Sequence, residues 1–256
     1  MGALHPGHLS LIQRARKSCG TVVVSIFVNP LQFGPREDFQ RYPRTLKRDL
    51  ELCRNNQVDV VFMPGQKDLY PDGFQTTVSL TQLMKRWEGE HRPTHLQGVA
   101  TVVTKLLTLV RPHQAFFGQK DYQQYLVIDR LVKDLNLGSK IVRCPTVRER
   151  DGLAWSSRNQ YLRPEQRQGA KMLFQTLRAA REAIQSGQRS TKHILKGAFR
   201  RMRSIPNTTI DYVAICDAKT LEPLKVAKRN IVLVGAVRIG GVRLIDNLLM
   251  RVPSKG

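Results

Sequence analysis

Short apolar runs alternate with stretches of helical periodicity through residues 1–146, and this alternation constrains the fold more than any other feature of the chain. The apolar runs are Thr21–Val28 (TVVVSIFV), Val58–Met63, Gln114–Phe117 and Lys140–Cys144. The first is β-branched and bounded by Gly20 and Asn29-Pro30, as a buried strand should be. Between the runs, apolar residues recur at helical spacing: Leu9, Ile12 and Ala15, then Leu46, Leu50 and Cys53. The pattern predicts further helices at Leu80–Trp87, Gly98–Val110 and Tyr122–Asn136, with a polar loop over Glu88–Gln97. Gly98–Val110 is valine-rich, but its length and period outweigh propensity. Strands separated by helices cannot be joined by hairpins, so they pair in parallel. The expected class is α/β, with a doubly wound parallel sheet over 1–146. Beyond Pro145 the pattern changes. Helices Pro164–Ser186 and Thr191–Ser204 precede strands near Ile210–Ile215, Asn230–Val237 and Val242–Ile245. These predict a smaller α+β C-terminal domain over 147–256.

Composition excludes several classes. No apolar run reaches membrane-spanning length, since Val99–Val110 is interrupted by Lys105. The N-terminus has no signal-peptide pattern. Cys19, Cys53, Cys144 and Cys216 are far apart, with no Cys-x-x-Cys pair, which argues against a zinc site and against a disulfide framework. A reducing cytoplasm is the expected compartment. Charge is the unusual property: 42 Lys plus Arg against 20 Asp plus Glu leave +22. Such a balance suits anionic partners. The cations are scattered, however, without a basic tail or aromatic–basic interleaving, so nucleic acid is not the expected partner.

The first eight residues, Met-Gly-Ala-Leu-His-Pro-Gly-His, carry the clearest chemistry. Pro6 suits the first turn of a helix, where its missing N–H costs little. His5 and His8 would then lie one turn apart on the same side of a helix N-terminus. Such a terminus attracts anions, and Gly7 lets a phosphate approach the backbone. His-x-Gly-His is thus a sensible phosphate cradle; a loop with two solvent-facing histidines is the alternative. No G-x-G-x-x-G or Walker motif offers another nucleotide site.

Further candidates sit where strands end. Gln32 lies in NPLQFGPREDFQRYP after the first strand, at the edge that faces ligand in open α/β sheets. Its amide can both donate and accept. Gly118, Lys120 and Asp121 follow the third strand. Trp155-Ser156-Ser157-Arg158 places two hydroxyls and a guanidinium together, a set that can hold phosphate oxygens. A solvated loop or turn is the alternative for each.

Four blocks together resemble pantothenate synthetases: MGALHPGH; SIFVNPLQFGP with EDFQRYPRT; FFGQKDYQQ; and PTVRERDGLAWSSRNQYL. They stand in the family's order, and the similarity ends with RLIDN. Gln119 and CPTVRE look most like the cyanobacterial branch, some members of which continue into a cytidylate kinase domain. The resemblance implies a Rossmann-like nucleotide- and pantoate-binding domain of the His-x-Gly-His nucleotidyl-transferase superfamily. It implies that ATP and (R)-pantoate form pantoyl adenylate and pyrophosphate, and that β-alanine then gives pantothenate and AMP.

Residue by residue, it implies an ATP site of Met1, Gly2, His5, Gly7, His8, Gly118, Lys120, Asp121, Val147, Trp155, Ser156, Ser157 and Arg158. Catalytic work would fall to His8 as proton donor, with His5, Lys120 and Arg158. Gln32 and Gln124 would hold pantoate, and Gln32 also β-alanine. Mg²⁺ is expected to bridge phosphates, with Asp49 a possible ligand, although Arg48 stands where many relatives are acidic. A homodimer is expected.

Some positions depart from the pattern. Relatives have a strand before the MGALH block, so the sequence reads as lacking the first strand of its sheet, either because the given start is late or because the chain is a catalytically impaired fragment. Trp155 and Gln119 replace a smaller residue and a glutamate. The competing readings are a non-catalytic basic relative that binds nucleic acid and another His-x-Gly-His nucleotidyl transferase.

Overall fold

A computed structural model describes residues 1–35 and 37–253. The chain divides into two compact units, Met1–Val147 and Arg148–Gly256.

The first unit runs α1 (Pro6–Arg16), β1 (Val23–Ser25), α2 (Leu46–Asn55), β2 (Val60–Phe62), α3 (Gln66–Leu69), α4 (Glu88–His91), α5 (His95–Val110), β3 (Gln114–Gly118), α6 (Tyr122–Asp134) and β4 (Lys140–Cys144). The strands are parallel, as their helical crossovers require. They form two pairs, β1–β2 and β3–β4, and among the described residues no ladder joins one pair to the other. Only three residues of the TVVVSIFV run pair as strand. Its extended backbone continues further, with Ile26 N–H donating to Phe62 O and Phe27 N–H to Met1 O. Helix α1 unites the two pairs: its buried Ile12 and Ala15 share a cluster with Leu4, Val22, Val24 and Cys53, against which Phe116 of β3 packs. A second cluster joins Leu96, Val99, Ala100 and Leu107 of α5 to Val127, Ile128, Leu131 and Val132 of α6. The apolar face of the valine-rich stretch is thus a helix–helix contact, and burial overrides propensity.

The helix predicted at Leu80–Trp87 is a set of turns, and a single helical turn, α4, stands where a polar loop was predicted. The cause is a side chain distant in sequence. Gln123 of α6 is buried, and its amide donates to Leu83 O at 2.7 Å and Arg86 O at 2.9 Å. Its carbonyl accepts from Glu88 N–H at 3.0 Å. These backbone groups therefore pair with a glutamine instead of with a helix of their own. Gly89 permits the fold-back, because a Cβ there would lie 1.7 Å from Met84 O.

The second unit contains α7 (Pro164–Gln185), α8 (Thr191–Arg203), β5 (Thr208–Asp217), β6 (Asn230–Ile239) and β7 (Val242–Arg251). The strands form an antiparallel sheet in the order β5–β6–β7. Gly240 and Gly241, at φ +54° and +88°, make the two-residue hairpin between β6 and β7. Leu173, Leu177 and Ile184 of α7 and Ile194 and Met202 of α8 pack with Ile215, Ile231, Leu233 and Ile239 of the sheet. The strands are longer than the short runs predicted at Ile210–Ile215 and Val242–Ile245, because pairing with β6 extends them past their most apolar residues.

Gln123→Ala should lower stability by about 1–3 kcal/mol, since one buried and two part-buried backbone groups lose their partner. Gln124→Ala, one position on, should leave the melting temperature unchanged. Thermal melts of both variants check this.

Candidate active site

The start of α1 is built by groups from outside the helix. Gly2 has φ +145° and Ala3 φ +47°, so the chain turns sharply before His5. The buried Asp49 of α2 accepts from Ala3 N–H at 2.9 Å and Leu4 N–H at 2.8 Å. Thr45 Oγ1 donates to the same carboxylate at 3.0 Å. His5 then caps the helix, its Nδ1 accepting from Gly7 N–H at 3.2 Å. A nitrogen that accepts cannot carry the proton, so neutral His5 bears it on Nε2.

His8 stacks on His5 with ring centroids 3.9 Å apart. The Nδ1 of His8 is buried and has no hydrogen-bond partner. Burial above all, then the neighbouring His5, amino terminus and Lys120, holds the His8 imidazole well below its usual pKa. The structure thus brings together Met1, Gly2, His5, Gly7, His8 and, through its field, Lys120. Burial and the neighbouring cations favour the neutral form of the His8 imidazole. Two stacked imidazoles beside a lysine cannot all be charged without a compensating anion.

The second element of the site is the turn Asn29–Gln32. Asn29 is buried; its amide donates to Gly98 O at 3.0 Å, and its oxygen accepts from Leu31 N–H and from Tyr70 Oη at 2.8 Å. Burial pushes the Tyr70 hydroxyl up to about 12, so it remains a donor. Gly98 allows α5 to touch this turn: a Cβ there would lie 2.2 Å from Leu31 O. The Gln32 carbonyl accepts from Arg92 at 3.3 Å and from His95 Nδ1–H at 3.0 Å. Arg92 also grips Glu37 through Nε at 2.7 Å and Nη2 at 2.5 Å. Burial opposes ionisation of Glu37, but the paired guanidinium outweighs it and holds the carboxyl below its usual range. The backbone of Gln32 is therefore clamped. Among the described residues its side-chain oxygen accepts only a long bond from Asn29 Nδ2, at 3.4 Å.

Gly118, Lys120 and Asp121 lie where β3 passes through a short 3₁₀ turn into α6. Lys120 Nζ is 3.6 Å from the half-exposed Asp121 carboxylate. Of the adjacent glutamines, Gln123 turns into the core, as described above. Gln124 has no hydrogen-bond partner among the described residues.

Asp49 is engaged inside the protein: each of its oxygens accepts from a backbone N–H group, and it is buried. Among the described residues, no cluster of three or more His, Cys, Asp or Glu side chains could hold a metal ion.

Val147 ends the first unit, and Trp155, Ser156, Ser157 and Arg158 belong to the second. There Ser156 caps a 3₁₀ helix over Ser157–Tyr161, its hydroxyl accepting from Arg158 N–H at 3.2 Å. The loop is anchored firmly. Arg148 pairs bidentately with buried Asp246 at 2.6 and 2.9 Å and lies over Phe174. Asn159 donates to Ala154 O and to Glu149, and Glu149 pairs with Arg167. The RLIDN block thus supplies, through Asp246, an anchor for the Ser-Ser-Arg loop.

A sequence model described as pantoate-β-alanine ligase matches residues 1–249. The chain belongs to the pantoate–β-alanine ligase family. It is similar to the pantothenate synthetase of Acetivibrio thermocellus, 49% identical over 98% of this chain and 90% of that protein. It is also similar to that of Moorella thermoacetica, 50% identical over 98% and 89%. Among solved structures, pantothenate synthetase from Thermus thermophilus superposes with a TM-score of 0.94 at 48% identity, covering 97% of this chain and 90% of that one. The pantoate-β-alanine ligase from Francisella tularensis, crystallised with β-γ ATP and β-alanine, gives a TM-score of 0.79 at 37% identity over 97% and 87%. These relatives agree with a Rossmann-like α/β ligase fold, and they lend no support to the kinase-fused cyanobacterial branch. They favour the ligase over a nucleic-acid-binding relative or another nucleotidyl transferase.

The supporting residues Asn29, Tyr70 and Gly98 escaped sequence reasoning. Asn29-Pro30 had served only to end a strand, although an Asn before Pro is itself a turn signal. Tyr70 and Gly98 carried no local signal, since their roles depend on contacts 41 and 69 residues away.

The neutral histidines make the fold acid-sensitive. Burial first, then Arg92, pushes His95 down to about 4. Its folded pKa lies below the unfolded value of about 6.5, so its contribution is complete above that pH and is lost as pH falls toward 4. Urea unfolding should show stability falling between about pH 6.5 and 4.5, before the carboxylates titrate. The loss should be at most about 3 kcal/mol, and His95→Gln should flatten it.

Proposed function

We propose that the chain joins (R)-pantoate to β-alanine in two steps. The pantoate carboxylate attacks the α-phosphorus of ATP, and the bond to pyrophosphate breaks. The β-alanine amine then attacks the acyl carbon, the bond to AMP breaks, and the amine loses a proton. The observation that carries this reading is the stacked His5–His8 pair at the N-terminus of α1, within the field of Lys120. Negative charge gathers on the phosphate oxygens and on departing pyrophosphate, and preorganised donors at a helix start lower that barrier.

His5 donates through Nε2–H. His8 donates to a phosphate oxygen as a neutral imidazole, and an anion there relieves its orphaned, desolvated ring. Lys120 neutralises phosphate charge, and Asp121 lies toward ribose or metal. Met1, Gly2, Gly7 and Gly118 line the cradle. Val147 and Trp155 border the adenine, and Ser156, Ser157 and Arg158 grip the phosphates; the anchoring of their loop supports that role. Gln32 and Gln124 hold pantoate, and Gln32 meets β-alanine. Neutral amides suit a hydroxy acid. Mg²⁺ arrives with ATP as part of the substrate and supplies charge neutralisation on the phosphates.

A homodimer belongs to the same proposal. Val23 and Val60 are register partners in β1–β2, yet they are 38% and 49% exposed, and a second copy would cover them. Sedimentation equilibrium decides this. No helix is long and apolar enough to cross a membrane among the described residues, and no disulfide joins the cysteines among them. A cytoplasmic setting fits both.

Pantoate-dependent ATP–pyrophosphate exchange, with Mg²⁺ present and β-alanine omitted, tests the reaction. Exchange that requires pantoate is expected; exchange without it, or none, counts against the adenylate step. His8→Ala should lower the exchange rate by roughly 100-fold or more with little change in melting temperature. Gln124→Ala should raise KM for pantoate more than KM for ATP.

The pH profile separates the two roles open to His8. A neutral donor predicts kcat/KM for ATP that is flat from about pH 6.5 to 8.5. An alkaline fall in that range would instead require an imidazolium.

A further inference from the structure

We infer that Asp49 is a positioning residue for the ATP cradle and not a metal ligand. The inference rests on the adenylate-forming reading of the site. Asp49 stands in the first turn of α2, 1% exposed. One oxygen accepts from Leu4 N–H and the Thr45 hydroxyl, the other from Ala3 N–H. An ionised carboxylate has about four acceptor sites, and three are filled from within the protein.

The backbone that Asp49 holds is strained. Ala3 has φ +47°, where an alanine Cβ crowds the following carbonyl. Gly2, at φ +145°, adopts a conformation open to little but glycine. Two consecutive N–H groups converge on one carboxylate only because the chain turns in this way. Strain of this kind persists where the surroundings over-determine it, and Asp49 does so here. The next residue is His5. Its ring caps Gly7 N–H, and its carbonyl accepts from His8 N–H at 2.8 Å and Leu9 N–H at 3.1 Å. The direction in which both imidazoles point therefore descends from the Ala3–Leu4 turn. An asparagine at 49 keeps the shape but offers one acceptor and two donors, so one converging N–H would face another N–H.

ATP binding measured in EDTA separates positioning from metal ligation. Asp49→Asn should weaken binding of metal-free ATP by roughly tenfold, the loss of one charge-assisted hydrogen bond. Amide hydrogen exchange at Ala3 and Leu4 should quicken in the same variant. Ala3→Gly, which removes the left-handed strain, should restore part of the lost affinity when combined with Asp49→Asn. Affinity that is unchanged in EDTA but weakened with Mg²⁺ would make Asp49 a metal ligand and overturn the inference. Unchanged amide exchange would overturn it as well. If Asp49→Asn does not fold, Thr45→Val keeps the carboxylate, removes one partner and should weaken metal-free ATP binding in the same sense by a smaller factor; no change would overturn the inference. Wild-type protein that binds ATP but shows no pantoate-dependent exchange would count against the reaction and leave this test intact.

Discussion

Backbone groups that leave a helix or strand inside the protein must still find partners, and in the first unit side chains distant in sequence supply them. Asp49 receives the amides ahead of α1, and Asn29 and Tyr70 close the turn after β1. Arg92 and His95 hold the Gln32 carbonyl, and Gln123 holds the segment before α4. Each contact satisfies a buried or part-buried group, and leaving one unmade would cost up to about 1–3 kcal/mol. Together they leave a small set of side chains, His8 and Gln124 among them, with hydrogen-bonding capacity to spare. The polar groups nearest the candidate ligand are thus held by their backbones and left open at their tips.

Electrostatics follow from that packing. Desolvation keeps His8 and His95 neutral, and the neighbouring cations act in the same direction. A triphosphate would meet a site whose positive character comes from Lys120, from N–H dipoles and from neutral imidazoles. The net +22 of the chain belongs to a different scale. It raises the surface potential and draws anions in, but it does not shape the site.

Local patterns carried the alternation of strand and helix and the parallel pairing, because period and turn chemistry depend on near neighbours. The His-x-Gly-His helix start was legible for the same reason, as Pro6 and the spacing of His5 and His8 are local. Local pattern failed at Leu80–Trp87, where apolar spacing suggested a helix and Gln123 took the backbone groups instead. Asn29, Tyr70, Gly98 and Asp246 gave no warning of their tasks.

By itself the sequence determined an α/β chain with a His-x-Gly-His helix start and a family-wide motif order. Those properties reside in residue type and short spacing. Tertiary structure decided which glutamine is structural and which is open, that Asp49 accepts from the Ala3 and Leu4 backbone, and that burial disfavours charge on His8. These depend on burial and on partners tens of residues away, which a one-dimensional pattern does not contain.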